Sequence, residues 1–153
     1  MKRVQLIALL AVVIAACNNA DKNTASGSLE KKADSLFKQV MHGHDVGMAK
    51  DFLLEKTIAL TQKTIDSINT LPIATRTAAA AYKQQLDSLL KDLNYADFAM
   101  NKWMEEMNWE PSKIEINERI KYLTAEKEKV DKVSEAILGS LAKADSLLKA
   151  VNR

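Results

Sequence analysis

Imidazole and thioether side chains recur at helical spacing in two distant parts of the chain. His44 and Met48 are four residues apart, as are Met100 and Met104, and residues four apart share one face of a helix. Soft ligands of this kind suit Cu(I). The four residues therefore form a candidate Cu(I) site. The alternative is that the methionines are flexible core filler, which is their more common role at this spacing.

Ionisable residues at inward-facing positions form a second candidate site. Aligning the helical segments as antiparallel neighbours puts His44 level with Trp103. The same alignment puts Asp51 level with Asp97 and Lys127. An unpaired lysine in a core is strongly disfavoured, so we expect a buried ion pair between Lys127 and Asp97 or Asp51 that fixes the helix register. The predicted buried polar layer consists of His44, Asp51, Asp97 and Lys127.

Motifs that support catalysis are absent from the sequence. It contains no Gly-rich phosphate loop, no Gly-x-Ser-x-Gly and no His-Glu-x-x-His, the patterns that mark common hydrolases, nucleotide-binding proteins and metalloproteases. His44 and Asp45 are adjacent, and adjacent residues on a helix point in different directions. We therefore expect a protein that is not an enzyme.

Few residues interrupt the helical pattern, and they divide the chain into three long segments. Pro72 and Pro111 are the only prolines. The segments that they separate carry apolar residues three and four apart, the spacing of a stripe that faces other helices. Because short loops force neighbouring helices to run antiparallel, the sequence predicts an all-α fold, an elongated up-down-up three-helix bundle with coiled-coil-like packing. The predicted helices span about residues 29–70, 75–108 and 112–151, within one domain of residues 29–153.

The apolar stripes set the expected register of the bundle. The clearest stripe, in the second segment, consists of Ala79, Tyr82, Leu86, Leu89, Leu93, Ala96, Met100, Trp103 and Met107. The stripe of the third segment consists of Ile116, Ile120, Leu123, Lys127, Val130, Ser134, Ile137, Leu141, Ala144, Leu148 and Val151. Counting outward from the loops puts Trp103 level with Ile120, and Gly47 level with Leu123. Gly43 and Gly47 weaken the first helix and predict a bend or a close approach there.

The amino terminus has the layout of a signal peptide. Lys2 and Arg3 precede an apolar run that stops at Cys17, which matches an export signal with a charged start and a short apolar centre. The run is about half as long as the roughly 20 residues that a membrane-spanning helix needs. Residues 1–16 are therefore predicted to be removed on export.

Cys17 is the predicted lipid attachment site. The residues Ile14-Ala15-Ala16-Cys17 resemble the lipobox of bacterial lipoproteins, in which the cysteine is acylated and becomes the first residue of the mature protein. An ordinary signal peptide would instead leave Cys17 as a free thiol. Cys17 is the only cysteine, and the lack of a disulfide partner within the chain favours the dedicated covalent use. The acyl chains would hold the protein at a membrane surface.

The composition after residue 16 bears on partners and location. Removal of residues 1–16 takes away two of the 22 basic residues and leaves as many basic as acidic ones, so the mature chain lacks the basic surface that nucleic-acid binding requires. Residues 17–28 are small and polar, and we expect a flexible tether. Asn18 is not the aspartate that the best-known sorting rule associates with inner-membrane retention. The outer membrane is therefore favoured, with the side that the protein faces left open.

Three segments resemble a family of small Gram-negative lipoproteins that are commonly labelled "viral A-type inclusion protein". They are residues 41–48, residues 94–104, and residues 122–130. The family's His-Asp-Glu-x-Met pattern maps to His44, Asp45 and Met48, with Val46 in place of the acidic residue. Its Ala-Asp-x-x-Met-x-x-Trp-Met pattern maps without departure to Ala96, Asp97, Met100, Trp103 and Met104. The resemblance implies a coiled-coil-like envelope lipoprotein and no known activity.

Two functional hypotheses follow. The first is a non-catalytic envelope protein that binds another protein, or a second copy of itself, through exposed aromatic residues such as Phe52, Tyr95, Phe98 or Trp109. The second is a small-ligand or Cu(I)-binding protein that uses the polar layer between the helices. A helical envelope chaperone is a weaker third hypothesis, because Leu60-Thr61-Gln62 does not reproduce the Leu-Thr-x-x-Gln motif of those chaperones.

Overall fold

The computed structural model describes residues 20–149, with side chains described from Ser26 onward. This part of the chain contains helices and no strand, which confirms the predicted all-α class. The predicted signal peptide and Cys17 lie outside the described residues, as does Val151. The elements in chain order are α1 (Ala20–Met48), α2 (Asp51–Asn69), α3 (Ile73–Ala78), α4 (Ala80–Glu106), a 3-10 helix (Pro111–Lys113) and α5 (Ile116–Lys149).

The first predicted helix is divided into α1 and α2. α1 ends one residue after Gly47, and a turn at Ala49 and Lys50 precedes α2. This break confirms the predicted bend. α1 begins at Ala20, so residues 20–28, for which we expected a flexible tether, are helical. Extending an existing helix adds one hydrogen bond for each residue fixed, which lets the helix continue beyond its packed part.

The break changes the neighbour against which the first helix packs. α1 lies mainly along α5, and the two helices run in the same direction, because Glu30 pairs with Arg119 and Gly47 faces Ile137. After the break, α2 packs chiefly against α4. α4 runs opposite to α5, and Lys143 of α5 forms an ion pair with Asp92 at 2.6 Å. Within residues 20–149, no helix combines the length and the apolar character needed to cross a membrane.

The core follows the predicted stripe closely in α4. All of its buried side chains belong to that stripe: Leu86, Leu89, Leu93, Ala96, Met100 and Trp103. Full burial of an aliphatic side chain of this size contributes about 1.5–3 kcal/mol. The stripe of α5 is predicted less well, because Arg119, Glu126 and Ser140 are buried where Ile120, Lys127 and Leu141 were expected.

Two glycines set the close approach of α1 to α5. A Cβ atom on Gly43 would lie 2.9 Å from Cγ1 of Val130 and 3.3 Å from Oδ1 of Asp131. A Cβ atom on Gly47 would collide with the terminal methyl group of Met100 and lie 3.2 Å from Cδ1 of Ile137. The lack of side chains at both positions therefore lets the helices pack closely, as the sequence predicted.

The connection between α4 and α5 is longer than a tight turn. Residues 107–115 contain the 3-10 helix, in which Pro111 is buried. The Glu115 carboxylate then accepts hydrogen bonds from the backbone N–H groups of Asn117 and Glu118 and caps the start of α5. α5 consequently begins at Ile116, four residues later than expected, and its register against the other helices differs from the prediction.

Candidate functional site

The predicted buried polar layer is not assembled in the structure. Within residues 26–149, no hydrogen bond or ion pair joins any two of His44, Asp51, Asp97 and Lys127. Asp51 is the first residue of α2, and the Asp97 carboxylate accepts from the side-chain amide of Asn101. Both aspartates are half-buried. These residues therefore lie in separate surroundings on separate helices.

The predicted buried ion pair of Lys127 with Asp97 or Asp51 is wrong. Lys127 pairs with Asp131, four residues along α5, and its side chain is 34% exposed. Glu126 occupies the inward position instead, with a side chain only 6% exposed. The prediction failed because both residues fit a stripe with three- and four-residue steps, and the assumed register favoured the wrong one.

Glu126 is the central polar residue of the α4–α5 interface. Its Oε2 accepts a hydrogen bond from Nε1 of Trp103 at 2.9 Å, and its Oε1 accepts one from Nζ of Lys129 at 2.8 Å. The hydrogen bond to Glu126 raises the pKa of the Lys129 ammonium group. Both carboxylate oxygens are thus occupied, and Glu126 acts as an internal anchor rather than a free general base.

Glu126 was not among the predicted site residues, although one signal in the sequence favoured a polar partner for Trp103. A buried tryptophan needs an acceptor for its indole N–H, and Trp103 belongs to the predicted stripe. Glu126 lies three residues after Leu123 and four before Val130, so it fits the inward spacing of α5. The identity of the acceptor depends on register, which the sequence did not determine.

His44 belongs to a cluster of three rings, made of His44, Trp103 and Trp109. The ring centroid of His44 lies 5.8 Å from that of Trp103 and 6.0 Å from that of Trp109, and the two indoles are 6.0 Å apart. Nδ1 of His44 lies 3.0 Å from Oδ1 of the adjacent Asp45, so these two side chains meet, contrary to the expectation that they point in different directions. The predicted alignment of His44 with Trp103 is therefore confirmed. The imidazole of His44 packs against the two indole rings.

Tyr122 connects α5 to the end of α4. Its hydroxyl oxygen accepts from the backbone N–H of Asn108 at 2.8 Å and donates to the sulfur of Met107 at 3.2 Å. Burial raises the pKa of Tyr122. This arrangement holds the beginning of the long connection against the first turns of α5, and it explains why Trp103 lies beside Glu126 rather than the expected Ile120.

The four candidate Cu(I) ligands occupy different depths. Met100 is buried, and its methyl group closes against Gly47, whereas His44, Met48 and Met104 are half-buried. In the described part of the chain, no group of three or more His, Cys, Asp or Glu side chains is placed to hold a metal ion. Because that set excludes thioethers, Cu(I) binding stays a prediction, which titration of Cu(I) against a competing chelator would check.

Two cavities open between helices, and neither is lined by His44 or Asp97. One, of about 170 Å³, lies between α1, the 3-10 helix and α5 and is lined by Ala33, Asp34, Phe37, Trp109, Pro111, Ser112, Arg119 and Leu123. The other, of about 310 Å³, lies between α2 and α5 and is lined by Leu53, Thr57, Leu60, Leu141, Ala144, Asp145, Leu148 and Lys149. α2 packs chiefly against α4, and the second cavity lies on its less closely packed side, toward α5.

Several aromatic side chains point outward from the described helices. Phe52 is 78% exposed, Tyr95 64% and Phe98 60%. Tyr95 and Phe98 are three residues apart and share the outer face of α4. Nζ of Lys102 lies 5.9 Å from the ring centroid of Phe98, within reach of a cation–π interaction. The outer face of α4 thus carries aromatic surface that the described part of the chain does not cover.

No model of a known protein family, no curated protein and no solved structure matches the chain. The resemblance to the "viral A-type inclusion protein" lipoproteins stays a prediction.

Proposed function

We propose that the protein is a non-catalytic, lipid-anchored protein of the bacterial envelope whose helical domain binds a protein partner or a second copy of itself. In this proposal residues 1–16 direct export, Cys17 carries the lipid, and the outer membrane is the location. The packed helices form an elongated up-down-up three-helix bundle, in which α1 and α2 together are the first helix. α4 and α5 are the second and third helices.

The outward-facing aromatic residues carry this proposal. Aromatic side chains are typical anchors of protein interfaces, because each buries a large area at a small cost in side-chain entropy. Phe52, Tyr95 and Phe98 remain largely exposed, although other apolar side chains of the same helices fill the core. On the outer face of α4, Tyr95, Phe98 and Lys102 together offer apolar area with a positive charge at its edge.

The buried ionisable residues support a structural rather than a catalytic role. Glu126 is engaged by Trp103 and Lys129, and the guanidinium group of Arg119 is paired with Glu30. These contacts join α4 to α5 and α1 to α5. Charged groups used in this way hold helices in register.

Photo-crosslinking in the native envelope tests the interaction. A photoreactive phenylalanine analogue placed at Phe98 should give a specific adduct, whose mass identifies either a partner protein or a dimer. The same analogue at Gln85, an exposed position on α4, is the matched control and should give none. Equal labelling at both positions, or no adduct at Phe98, Tyr95 and Phe52, would contradict the proposed interface.

The lipid anchor has its own test. Cys17→Ser should abolish the mass increase from acylation and release the protein from the membrane fraction, because acyl chains contribute about 0.8 kcal/mol for each buried CH₂ group. Detection of the wild-type protein with a free Cys17 thiol would support the ordinary signal peptide instead.

A further inference from the structure

Arg119 is a buried cation with an unused hydrogen-bond donor. The residue is only 7% exposed, and its Nη2 donates to Oε2 of Glu30. Its Nε is also buried and has no hydrogen-bond acceptor among the described residues. Leaving a buried donor unpaired costs about 1–3 kcal/mol, and more when the group is charged. An acceptor brought to this atom would therefore be bound favourably.

The cavity of about 170 Å³ lies beside this arginine. Arg119 lines it together with Ser112, and most of the remaining wall is apolar, with Phe37, Trp109 and Leu123 among the lining residues. A concave, mainly apolar pocket with a few polar groups is the usual form of a small-molecule site. The volume is below the roughly 300 Å³ at which drug-sized sites begin, so the occupant must be compact.

The charges around the cavity restrict the chemistry of the occupant. Glu30 already balances the guanidinium charge, and Asp34 lines the same cavity. A carboxylate or phosphate entering beside Arg119 would be repelled by these two acids. A neutral oxygen acceptor satisfies Nε without that repulsion.

We propose that this cavity binds a small neutral molecule that carries an amide or other carbonyl oxygen on a compact apolar or aromatic body. The carbonyl oxygen accepts from Nε of Arg119, and the body packs against Phe37, Leu123 and the indole of Trp109. Because Nε is covered in the structure, entry requires the wall to move. Trp109, which is half exposed, lines this wall, so its indole N–H reports on an occupant. This site is separate from the aromatic face of the proposed function, and neither depends on the other.

Paired probes of equal shape and different charge test the proposal. Benzamide and benzoate are titrated into the purified ¹⁵N-labelled protein, and the signals of Arg119 Nε–H and the Trp109 indole N–H are followed by NMR. We expect benzamide to shift both signals in a saturable manner and to bind at least tenfold more tightly than benzoate. Arg119→Lys, which keeps the charge opposite Glu30 but has no Nε donor, should weaken benzamide binding at least tenfold.

The control variant is Arg76→Lys. Arg76 is the other arginine within the described residues, and it is exposed and bonded to the carbonyl of Asn69, so this variant should bind benzamide as the wild type does. Thermal unfolding of Arg119→Lys must remain cooperative for the comparison, and if it does not, the wild-type probe series decides. Benzoate binding as tightly as benzamide, no saturable shift with either probe, or full affinity in a folded Arg119→Lys variant would overturn the proposal.

Discussion

The indole Nε1 of Trp103 donates a hydrogen bond to Oε2 of Glu126 across 2.9 Å, between α4 and α5. Both side chains are buried, at 4% residue exposure each. The bond is compatible with one register of α4 against α5, because sliding either helix along the other would separate the donor from the acceptor. The indole of Trp103 also contacts the ring of His44, so α1 packs against α4 and α5 at the same place.

Removing the acceptor should destabilise the protein. Glu126→Leu leaves the Trp103 indole N–H unpaired in the core, and we expect a loss of about 1–3 kcal/mol in the free energy of unfolding. Urea denaturation of the variant and the wild type measures the difference. The double variant Trp103→Phe/Glu126→Leu removes both partners, so its loss should be smaller than the sum of the two single losses. Additive losses would show that the two residues do not interact.

How much of this site the sequence predicted depends on which helices are compared. His44 was correctly placed beside Trp103. Between α2 and α4, only residues 70–72 and Ala79 lie outside a helix, because α3 leads into α4, and counting outward from this turn preserves the register. Between α4 and α5 the count failed. Residues 107–115 form an extended connection with a 3-10 helix, so Trp103 meets Glu126 instead of Ile120. A shift of six residues corresponds to about 9 Å along a helix, enough to replace every predicted partner.

The inward face of α5 shows a second limit of sequence reasoning. An apolar stripe identifies a helix and its approximate buried side, as it did for α4. It does not choose between neighbours such as Arg119 and Ile120 when either fits the spacing. Arg119 is buried because Glu30 of α1 meets its guanidinium group, and Glu126 because Trp103 supplies a donor. These partners come from distant parts of the chain and depend on packing.

Alanine should stabilise the protein at the helical glycine that faces open space and destabilise it at a glycine that is packed against another helix. Gly139→Ala places its Cβ where no atom lies within 4 Å, so it should stabilise the protein by about 0.5–1 kcal/mol through helix propensity. Gly43→Ala meets Val130, a stiff β-branched residue that is fully buried, and should destabilise by about 1–3 kcal/mol. Gly47→Ala should fall between them, because the obstructing methyl group of Met100 ends a flexible chain. Thermal and urea unfolding of the three variants measures the order, and stabilisation by Gly43→Ala would contradict the close approach of α1 to α5.

Loss of the charge at Lys127 should have little effect. Lys127 is partly exposed, and among residues 26–149 its ion-pair partner is Asp131 on the same helix. Exposed pairs at this spacing contribute about 0.3–0.5 kcal/mol. Lys127→Met should therefore change the free energy of unfolding by no more than about 0.5 kcal/mol. Glu126→Leu, one residue earlier, is the matched comparison. If Lys127→Met lowers the free energy of unfolding as much as Glu126→Leu does, Lys127 must be buried and this prediction is wrong.

Alkaline conditions should weaken the fold. Burial raises the pKa of Tyr122 and of Tyr82 above the ordinary value of 10.0, so above pH 10 the unfolded chain loses phenolic protons that the folded protein retains. The unfolded state then binds fewer protons, and stability falls as the pH rises. The pKa of Lys129 is raised above 10.5 by Glu126, and its stabilising charge is lost as the pH passes the folded-state pKa. The lysine contributes less, because its side chain is more than half exposed.

Urea unfolding at pH 7, 9, 10 and 11 measures this dependence. We expect the free energy of unfolding to change little up to pH 9 and to decrease between pH 10 and 11. Tyr122→Phe removes one of the titrating hydroxyl groups and its bonds to Asn108 and Met107, so the variant should be less stable than the wild type at pH 7. Its further decrease between pH 10 and 11 should be smaller. An equal decrease in the variant would show that ionisation of Tyr122 does not contribute to the alkaline loss.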